Sequence, residues 1–224
     1  MSLEEIAKFF EQQGIVLSAF QLGQLKRFVE LLREWNRKIH LISKGDVENI
    51  EERHILPSMV FADFVRAEFG RKAVKIVDLG TGAGLPGVIL AILFPEKRFW
   101  LLDSSRKKTL FLKKVKSELS LNFQIVNERF ENWQAKNSIK IDLITARAVA
   151  SIADLLSLTG AVLKEQGTLL ITMKSCGLAE PIPDSMKETF HLRMLKNNFA
   201  SFSDYMKDKC LVSLEYLHGR KETI

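Results

Sequence analysis

The chain has 224 residues, 46% of them hydrophobic and 27% charged, which is typical of a globular protein of one domain with at most a modest appendage. It contains only two cysteines, Cys176 and Cys210, which excludes a disulfide framework and a zinc ribbon and leaves two free thiols that fit a reducing cytosol. Lysine and arginine exceed the acids by 33 to 27, and the net charge of +6 favours an anionic partner, although many surfaces carry such an excess without one.

The sequence has neither of the usual signals for a membrane or secreted protein. The longest apolar run, residues 87–94, is far shorter than the roughly 20 residues that a spanning helix needs. The first ten residues place acids where a signal peptide has lysines. We therefore expect a cytoplasmic protein without a membrane partner.

The first 70 residues have the pattern of helices. Ser2 precedes Glu5, and Ser18 precedes Gln21, at the three-residue spacing of a capping box. Gly14 is expected to end the first helix. In the second helix one stripe contains Leu22, Leu25, Val29, Leu32 and Asn36, with Trp35 beside it.

A third helix is expected over residues 46–56. Pro57 breaks or restarts it, since proline is well tolerated only in a first turn. Residues 59–69 continue the helical pattern up to Gly70. Because no linker follows, we expect residues 1–70 to form a helical extension packed on the rest of the chain.

From residue 74 onward, short apolar strands alternate with helices. Strands are expected at residues 74–79, 99–102, 123–126, 139–145 and 168–173, and helices at residues 86–93, 105–119 and 152–163. This alternation predicts an α/β fold with a mostly parallel sheet and helices on both faces. Residues 192–195 and 210–217 are candidates for a closing hairpin, and residues 71–224 are expected to form this domain.

A glycine-rich loop, VDLGTGAGLPG at residues 77–87, follows the first strand and opens the first helix of this domain. Gly82, Gly84 and Gly87 match the dinucleotide pattern G-x-G-x-x-G. Glycines there allow a tight turn and the close approach of a ligand to the backbone. Pro86 suits the first turn of the helix.

Two acids favour a different nucleoside ligand. Asp78 lies directly under the loop, where it would repel a pyrophosphate and attract a cationic group. Asp103 ends the second strand, where an acid can accept hydrogen bonds from both ribose hydroxyls. This is the pattern of class I S-adenosylmethionine (AdoMet)-dependent methyltransferases, which have a Rossmann-like fold. The alternatives are an NAD-binding domain, and a purely structural turn with a solvent-exposed Asp103.

Longer motifs narrow the resemblance to one family. They are VDLGTGAGLPG, LLDSSRKKTLFLKKV, ERFE and ITARAVASI, with Leu-Leu-x-x-Trp35-Asn36-x-x-x-x-Leu41 and Arg53-His54-Ile55-Leu56-x-Ser58 in the helical region. Over residues 20–175 the chain resembles the bacterial RsmG family, also called glucose-inhibited division protein B. The resemblance implies an AdoMet-dependent transferase that methylates guanine N7 in 16S ribosomal RNA, giving 7-methylguanosine.

The resemblance also implies which residues contact the cofactor. Carried over by position, these are Gly80, Leu85, Phe130, Glu131 and Arg147. Together with the loop and its acids, the predicted cofactor site therefore also contains Asp78, Gly82, Gly84 and Asp103. Two positions depart from the family pattern, since His40 replaces an asparagine and Pro57 replaces an aspartate, and the tail after Met173 matches weakly.

A guanine N7 acceptor has a free lone pair and no proton to remove, so the predicted reaction needs no general base. Rate acceleration would come mainly from holding N7 in line with the methyl group. Arg147, just past the fourth strand, is the candidate catalytic residue because ligands bind at the carboxyl ends of parallel strands. It could clamp the cofactor carboxylate, contact guanine O6 or bind an RNA phosphate.

Several other side chains allow two interpretations. Phe130 fits core packing and adenine contact about equally well, whereas Trp133 fits the core. Lys174, at the end of the fifth strand, is either solvated or an RNA contact. For His54 we expect a capping or buried hydrogen bond, and for Asn36 a structural hydrogen bond first and an RNA contact second.

The helix after Asp103 is strongly basic. Its cations are Arg106, Lys107, Lys108, Lys113, Lys114 and Lys116, and its apolar face contains Phe111, Leu112, Val115 and Leu119. A run of this kind usually marks a solvated helix face. Six cations before the first acid also suit RNA phosphates, so Arg106, Lys107, Lys113, Lys114 and Lys174 are the RNA-binding candidates. The next candidates are the N-terminal helices or the basic tail around Lys207, Lys209, Arg220 and Lys221.

Three other classes of function remain open from the residues alone: an NAD-dependent oxidoreductase, a methyltransferase of small molecules or proteins, and a non-catalytic module that binds RNA or nucleotides. The four histidines have no metal-ligand spacing, so no metal is expected. The expected partner is ribosomal RNA or the small ribosomal subunit, and the expected state is a monomer.

Overall fold

The computed structural model describes residues 1–176, 182–195 and 199–217. Its strands are Lys75–Leu79 (β1), Arg98–Leu102 (β2), Gln124–Val126 (β3), Leu143–Arg147 (β4), Leu169–Ser175 (β5), Phe190–Leu195 (β6) and Lys209–Tyr216 (β7). Its α-helices are Leu3–Gln12 (α1), Ala19–Asn36 (α2), Leu56–Phe69 (α3), Gly87–Leu93 (α4), Arg106–Glu118 (α5), Phe130–Lys136 (α6) and Ile152–Gln166 (α7).

The strands form one sheet in the order β3-β2-β1-β4-β5-β7-β6. The five strands β1 to β5 pair in parallel, and β7 pairs antiparallel with both β5 and β6. The strand order reverses between β1 and β4, and a ligand of an open α/β sheet binds at such a switch point. The predicted α/β class and the closing hairpin are confirmed, although β4 begins at Leu143 and ends at Arg147 itself.

Side chains alternate between two apolar cores, one on each face of the sheet. Ile76 and Leu101 join the core under α1 to α5. Val77 and Leu102 join the core under α6 and α7. This alternation follows from the two-residue period of a strand, and it explains why the strands read as continuous apolar runs.

The N-terminal helices share the first core rather than standing apart. Both capping boxes are present, with Ser2 and Ser18 accepting from the backbone N–H three residues later. Helix α2 lies along α5 in the opposite direction: Gln24 donates to the carbonyl of Leu119, and Trp35 packs on Phe111 with a centroid distance of 5.7 Å. The carboxyl end of α2 therefore points toward the amino end of α5.

The segment predicted as a helix over residues 46–56 is helical but is not one regular α-helix. The structure has a 3₁₀ helix at Lys44–Asn49 and a π-helical turn at Glu51–Ile55, after which α3 begins at Leu56. Pro57 has no N–H to continue an α-helical ladder through this point, so it occupies the first turn of α3 instead. The short helix α6 was not predicted at all.

The expectation of two free thiols is also wrong. In the structure Cys176 and Cys210 form a disulfide, with their Cα atoms 5.3 Å apart. The cause is strand pairing: Ser175 of β5 lies opposite Lys209 of β7, and the N–H of Cys176 donates to the carbonyl of Asp208 at 2.6 Å. Pairing between segments 34 residues apart is not visible in cysteine spacing alone.

Candidate cofactor site

The glycine loop turns sharply between β1 and α4. Gly80, Gly82 and Gly84 all have positive φ, at 61°, 56° and 87°, a region that other residues enter only with strain. A Cβ on Gly80 would lie 2.9 Å from Cγ2 of Val149. The loop therefore needs glycine both for its backbone path and for its contact with the segment after β4.

Asp78 lies beneath this loop rather than at a cavity wall. It is 1% exposed, and its carboxylate accepts from the N–H of Gly87 at 2.9 Å and from the hydroxyl of Thr145 at 2.7 Å. Burial raises the pKa of Asp78 to about 6, against these hydrogen bonds. In this arrangement Asp78 fixes the start of α4 and so shapes the loop.

Asp103 belongs to the cavity wall and also holds the loop. One carboxylate oxygen accepts from the N–H of Gly82 at 3.0 Å, and the other accepts from the N–H of Ser105 at 2.8 Å. Lys108 lies 3.7 Å away. Asp103 is only 9% exposed, which rules out the alternative of a solvent-exposed surface acid.

A cavity of about 180 Å³ opens at the carboxyl ends of β1 and β2. Its lining combines acids, apolar side chains and backbone: Leu79, Gly80, Leu102, Asp103, Ser104, Glu128, Arg129, Phe130, Glu131, Val149 and Leu158. Ligand pockets for drug-sized molecules usually measure 300–1,000 Å³. The cavity is therefore of a size for the nucleoside end of a larger cofactor, and its acids offer acceptors to ribose hydroxyls.

The structure brings together only part of the predicted site. Gly80, Asp103, Phe130 and Glu131 line the cavity. Phe130 is also 4% exposed and packs near Trp133. This side chain therefore both packs in the core and lines the cavity. Four further predicted residues lie in or under the loop and are not part of this lining, namely Asp78, Gly82, Gly84 and Leu85.

Several cavity residues were not predicted from the sequence. Ser104, Glu128 and Arg129 lie within three residues of the carboxyl ends of β2 and β3, so the rule that ligands bind beyond the carboxyl ends of strands could have found them. Val149 and Leu158 enter the cavity through the packing of the segment after β4 and of α7, for which the sequence carries no local signal.

Arg147 ends β4 but turns toward the helical extension. It donates to the backbone carbonyl of His54 at 3.1 Å, and its other terminal nitrogen lies 2.6 Å from Nδ1 of the same residue. Nε2 of His54 in turn lies 3.4 Å from a carboxylate oxygen of Asp46, which pairs with Arg53 at 2.6 Å. A guanidinium has five N–H groups, so donors of Arg147 remain for a substrate.

His54 is held in its neutral form by this setting. Burial, and then the nearby charge of Arg147, lower the pKa of His54 to about 4. Since Arg147 can only donate, Nδ1 of His54 accepts and the proton resides on Nε2, facing Asp46. The expected buried hydrogen-bonding role of His54 is confirmed.

We expect His54 to lower the stability of the folded protein at acidic pH. The unfolded chain takes up this proton near pH 6.5 and the folded chain only near pH 4, so the free energy of unfolding falls as pH drops between those values, by up to about 3 kcal/mol. Asp78, with its raised pKa, acts in the opposite direction. The measurement is therefore a difference: urea unfolding of the wild type and His54→Gln from pH 7 to pH 4. The wild type should lose stability relative to the variant, and a constant difference would contradict the assignment.

The cations of α5 are arranged as predicted, on the side away from the core. Arg106, Lys107 and Lys113 are exposed. Lys114 pairs with Glu118 at 2.5 Å, so its charge is partly balanced. Lys174 is half-buried and donates to the carbonyl of Ala150 at 2.7 Å, so a simply solvated lysine is wrong.

Asn36 makes the structural hydrogen bonds that the sequence favours over an RNA contact. Its side-chain oxygen accepts from the N–H groups of Leu41 and Ile42, at 2.8 and 3.0 Å. Of the basic tail, Lys207 and Lys209 are described, whereas Arg220 and Lys221 lie outside the described residues.

Replacing Asp103 with alanine is expected to weaken nucleoside binding, because a hydrogen bond to a charged acceptor contributes about 1.5–3 kcal/mol. Asp103→Asn is the matched variant, since it keeps one oxygen acceptor at the same place. Calorimetry with AdoMet should give a dissociation constant raised by roughly tenfold or more for alanine and less for asparagine. Equal affinities for wild type and both variants would remove Asp103 from the site.

The described residues contain neither a metal-binding cluster nor a membrane-spanning helix. In residues 1–176, 182–195 and 199–217, no group of three His, Cys, Asp or Glu side chains is arranged to hold a metal ion. No helix in that same part of the chain is long and apolar enough to cross a membrane.

A family model and curated relatives of this chain all belong to one family. Residues 21–207 match the family model described as rRNA small subunit methyltransferase G. The chain is 37% identical over 186 residues to ribosomal RNA small subunit methyltransferase G of Marinomonas sp., covering 83% of this chain and 85% of that protein. It is 33% identical over 214 residues to the protein of the same name from Psychromonas ingrahamii, covering 95% and 98%.

Solved structures of low sequence identity share the fold. A mutant of MtNAS in complex with S-adenosylmethionine superposes with a TM-score of 0.57 at 14% identity, covering 96% of this chain and 77% of that one. An rRNA methylase from Streptococcus thermophilus superposes with a TM-score of 0.50 at 16% identity, covering 70% and 95%. These likenesses concern the sheet and its helices.

Proposed function

Because the chain belongs to the rRNA small subunit methyltransferase G family, we propose that it transfers a methyl group from AdoMet to guanine N7 of 16S ribosomal RNA. The observation that carries the proposal is the cavity at the carboxyl ends of β1 and β2, where Asp103 lies beside the exposed backbone of Gly80. That cavity has the acceptors and the apolar wall that a nucleoside cofactor requires.

The residues present fit AdoMet. Asp103 and Glu131 offer carboxylates to the ribose hydroxyls, and Phe130 offers an apolar surface to adenine. Without a side chain at Gly80 the ligand can approach the backbone of the loop. When bound, AdoMet supplies an electrophilic methyl group on a sulfonium.

The chain's own part in the reaction is to hold the acceptor. Guanine N7 needs no deprotonation, so the protein needs only to align it and to exclude other geometries, an effect that reaches several kcal/mol in well-oriented reactions. Arg147 is our candidate for this role, because it combines a fixed position at the end of β4 with unused donors. Its donors suit guanine O6 or an RNA phosphate.

The RNA would approach over the basic helix. Helix α5 starts three residues after Asp103, so its first turn lies at the carboxyl end of the sheet, where the cofactor is proposed to bind. Arg106, Lys107 and Lys113 are exposed there or further along the helix and suit phosphate contacts. Lys114 and Lys174 are weaker candidates, since both already have protein partners.

We further infer that the protein acts in the cytoplasm as a monomer, with residues 1–70 as an extension of a methyltransferase domain at residues 71–224. Asp78 disfavours NAD as the cofactor, because a buried acid beneath the loop is unfavourable for a pyrophosphate.

The experiment that tests this function has two readouts. A hundredfold excess of AdoMet over its dissociation constant should stabilise the fold by about 2.7 kcal/mol, or roughly 5–10 °C in melting temperature for a chain of this size, whereas NAD should have no effect. The labelled methyl group of AdoMet should enter the RNA fraction of small ribosomal subunits rather than their proteins. A melting shift with NAD alone, or label only in protein, would refute the proposal.

A further inference from the structure

The segment after α2 is a second basic surface. Residues 37–44, RKIHLISK, contain three cations and no acid, and Arg37, Lys38 and Lys44 are all exposed. None of the three has an ion pair within the described part of the chain. By contrast, the arginines on either side are paired, Arg33 with Glu51 and Arg53 with Asp46. We call residues 37–44 the basic arm.

The basic arm is held in one conformation. The side-chain oxygen of Asn36 accepts from the N–H groups of Leu41 and Ile42, which closes the segment into a turn. The side chains of Leu41 and Ile42 are buried, at 9% and 6% exposure, and join the core under α1 to α5. The apolar residues thus fix the backbone while the cations stay in solvent.

Contacts at both ends place the basic arm beside the carboxyl ends of the strands, where the cofactor cavity opens. Before it, Trp35 packs on Phe111 of α5, with 5.7 Å between ring centroids, where α2 runs toward the amino end of α5. After it, Asp46 approaches His54, which contacts Arg147 at the end of β4. The arm therefore connects the basic helix to the carboxyl end of β4, the strand next to β1 and its glycine loop.

We propose that the basic arm is a docking surface for the phosphate backbone of the substrate RNA, continuous with the exposed cations of α5. This inference rests on the proposed function, which requires a guanine at the mouth of the cofactor cavity. An RNA strand that enters there passes the arm on one side and the first turn of α5 on the other. Because the arm is already ordered, binding would cost little conformational entropy.

The test replaces Arg37, Lys38 and Lys44 with alanine together. Binding to deproteinised small-subunit rRNA and to intact small subunits is measured by filter binding at several salt concentrations, and AdoMet binding by calorimetry. We expect RNA affinity to fall at least tenfold and the log–log salt slope to flatten by about 2–3, since each lost phosphate contact removes about 0.7–0.9. AdoMet affinity and the melting temperature should stay unchanged.

A matched control removes the same charge from the opposite end of the strands, their amino ends. Arg71 and Lys72 precede β1, and Arg98 begins β2; all three are exposed. The triple alanine variant of these residues should bind RNA like the wild type. Equal losses in both variants would mean a general charge effect and overturn the proposal, as would an unchanged arm variant.

Two other outcomes distinguish a failure of the RNA assignment from a failure of the proposed function. A loss confined to intact subunits, with normal binding to deproteinised rRNA, would mean that the arm contacts a ribosomal protein, and would overturn the RNA assignment. If the wild type binds neither RNA nor subunits, the proposed function itself fails, whatever the arm variant does.

Discussion

Replacing Arg147 with alanine is expected to lower the rate of methyl transfer by about 100-fold or more, the usual effect of losing one oriented charge at a reacting centre. Arg147 lies at the carboxyl end of β4, and its guanidinium is fixed by His54 at 3.1 and 2.6 Å. RNA affinity should fall much less, because one phosphate contact is a small part of a whole RNA interface. The measurement is single-turnover methyl transfer, with RNA and AdoMet affinities determined in parallel.

Two further variants make the Arg147 result specific. Arg147→Lys keeps the charge but loses the forked donor geometry, and it should recover little of the rate. Arg193→Ala removes one exposed arginine from β6, at the far edge of the sheet, and should transfer normally. A rate for Arg147→Ala within a few fold of wild type, in a protein of normal melting temperature, would exclude Arg147 from the transfer site.

Replacing Gly84 with alanine is expected to unfold the glycine loop. Gly84 has a φ of 87°, and a Cβ there would collide with Cγ2 of Val88 and lie 3.0 Å from Cδ2 of Leu112. Both neighbours are fully buried, so neither can move away. Overpacking costs about 1–3 kcal/mol and the left-handed backbone about 1–2 kcal/mol. The melting temperature should fall by roughly 5–15 °C, and AdoMet binding should be lost.

Gly23→Ala is the matched control for Gly84→Ala. Gly23 lies in α2, is exposed, and has no atom within 4 Å of an added Cβ. Alanine is favoured over glycine in a helix by about 1 kcal/mol, so this variant should melt at or above the wild-type temperature and bind AdoMet normally. If Gly84→Ala behaves like Gly23→Ala, the loop is not under the steric constraint described.

Much of the fold could be predicted because it is encoded locally. Ser2 and Ser18 form capping boxes with the residues three positions later, and the apolar runs of β1, β2 and β5 are bounded by turn residues. What failed depended on geometry between segments. The segments Lys44–Asn49 and Glu51–Ile55 look helical in sequence, but their helix type, 3₁₀ and π rather than α, does not follow from local periodicity.

The candidate site also combines residues that the sequence predicts with contacts that it does not predict. Asp103 was predicted from its place at the end of the second strand and Gly80 from the family resemblance, and both line the cavity. The contact between Arg147 and His54 joins residues 93 apart, and the Cys176–Cys210 disulfide joins two paired strands. Such contacts follow from tertiary packing, which local periodicity does not contain.

Mapping the transferred methyl group tests the central claim most directly. The protein is incubated with methyl-labelled AdoMet and small subunits from cells that lack it, and the rRNA is digested to nucleosides. We predict that the label is recovered as 7-methylguanosine from a single position of 16S rRNA, and that Arg147→Ala greatly reduces its amount. Label on another base atom, on ribose or on a ribosomal protein, or no label at all, would contradict the claim.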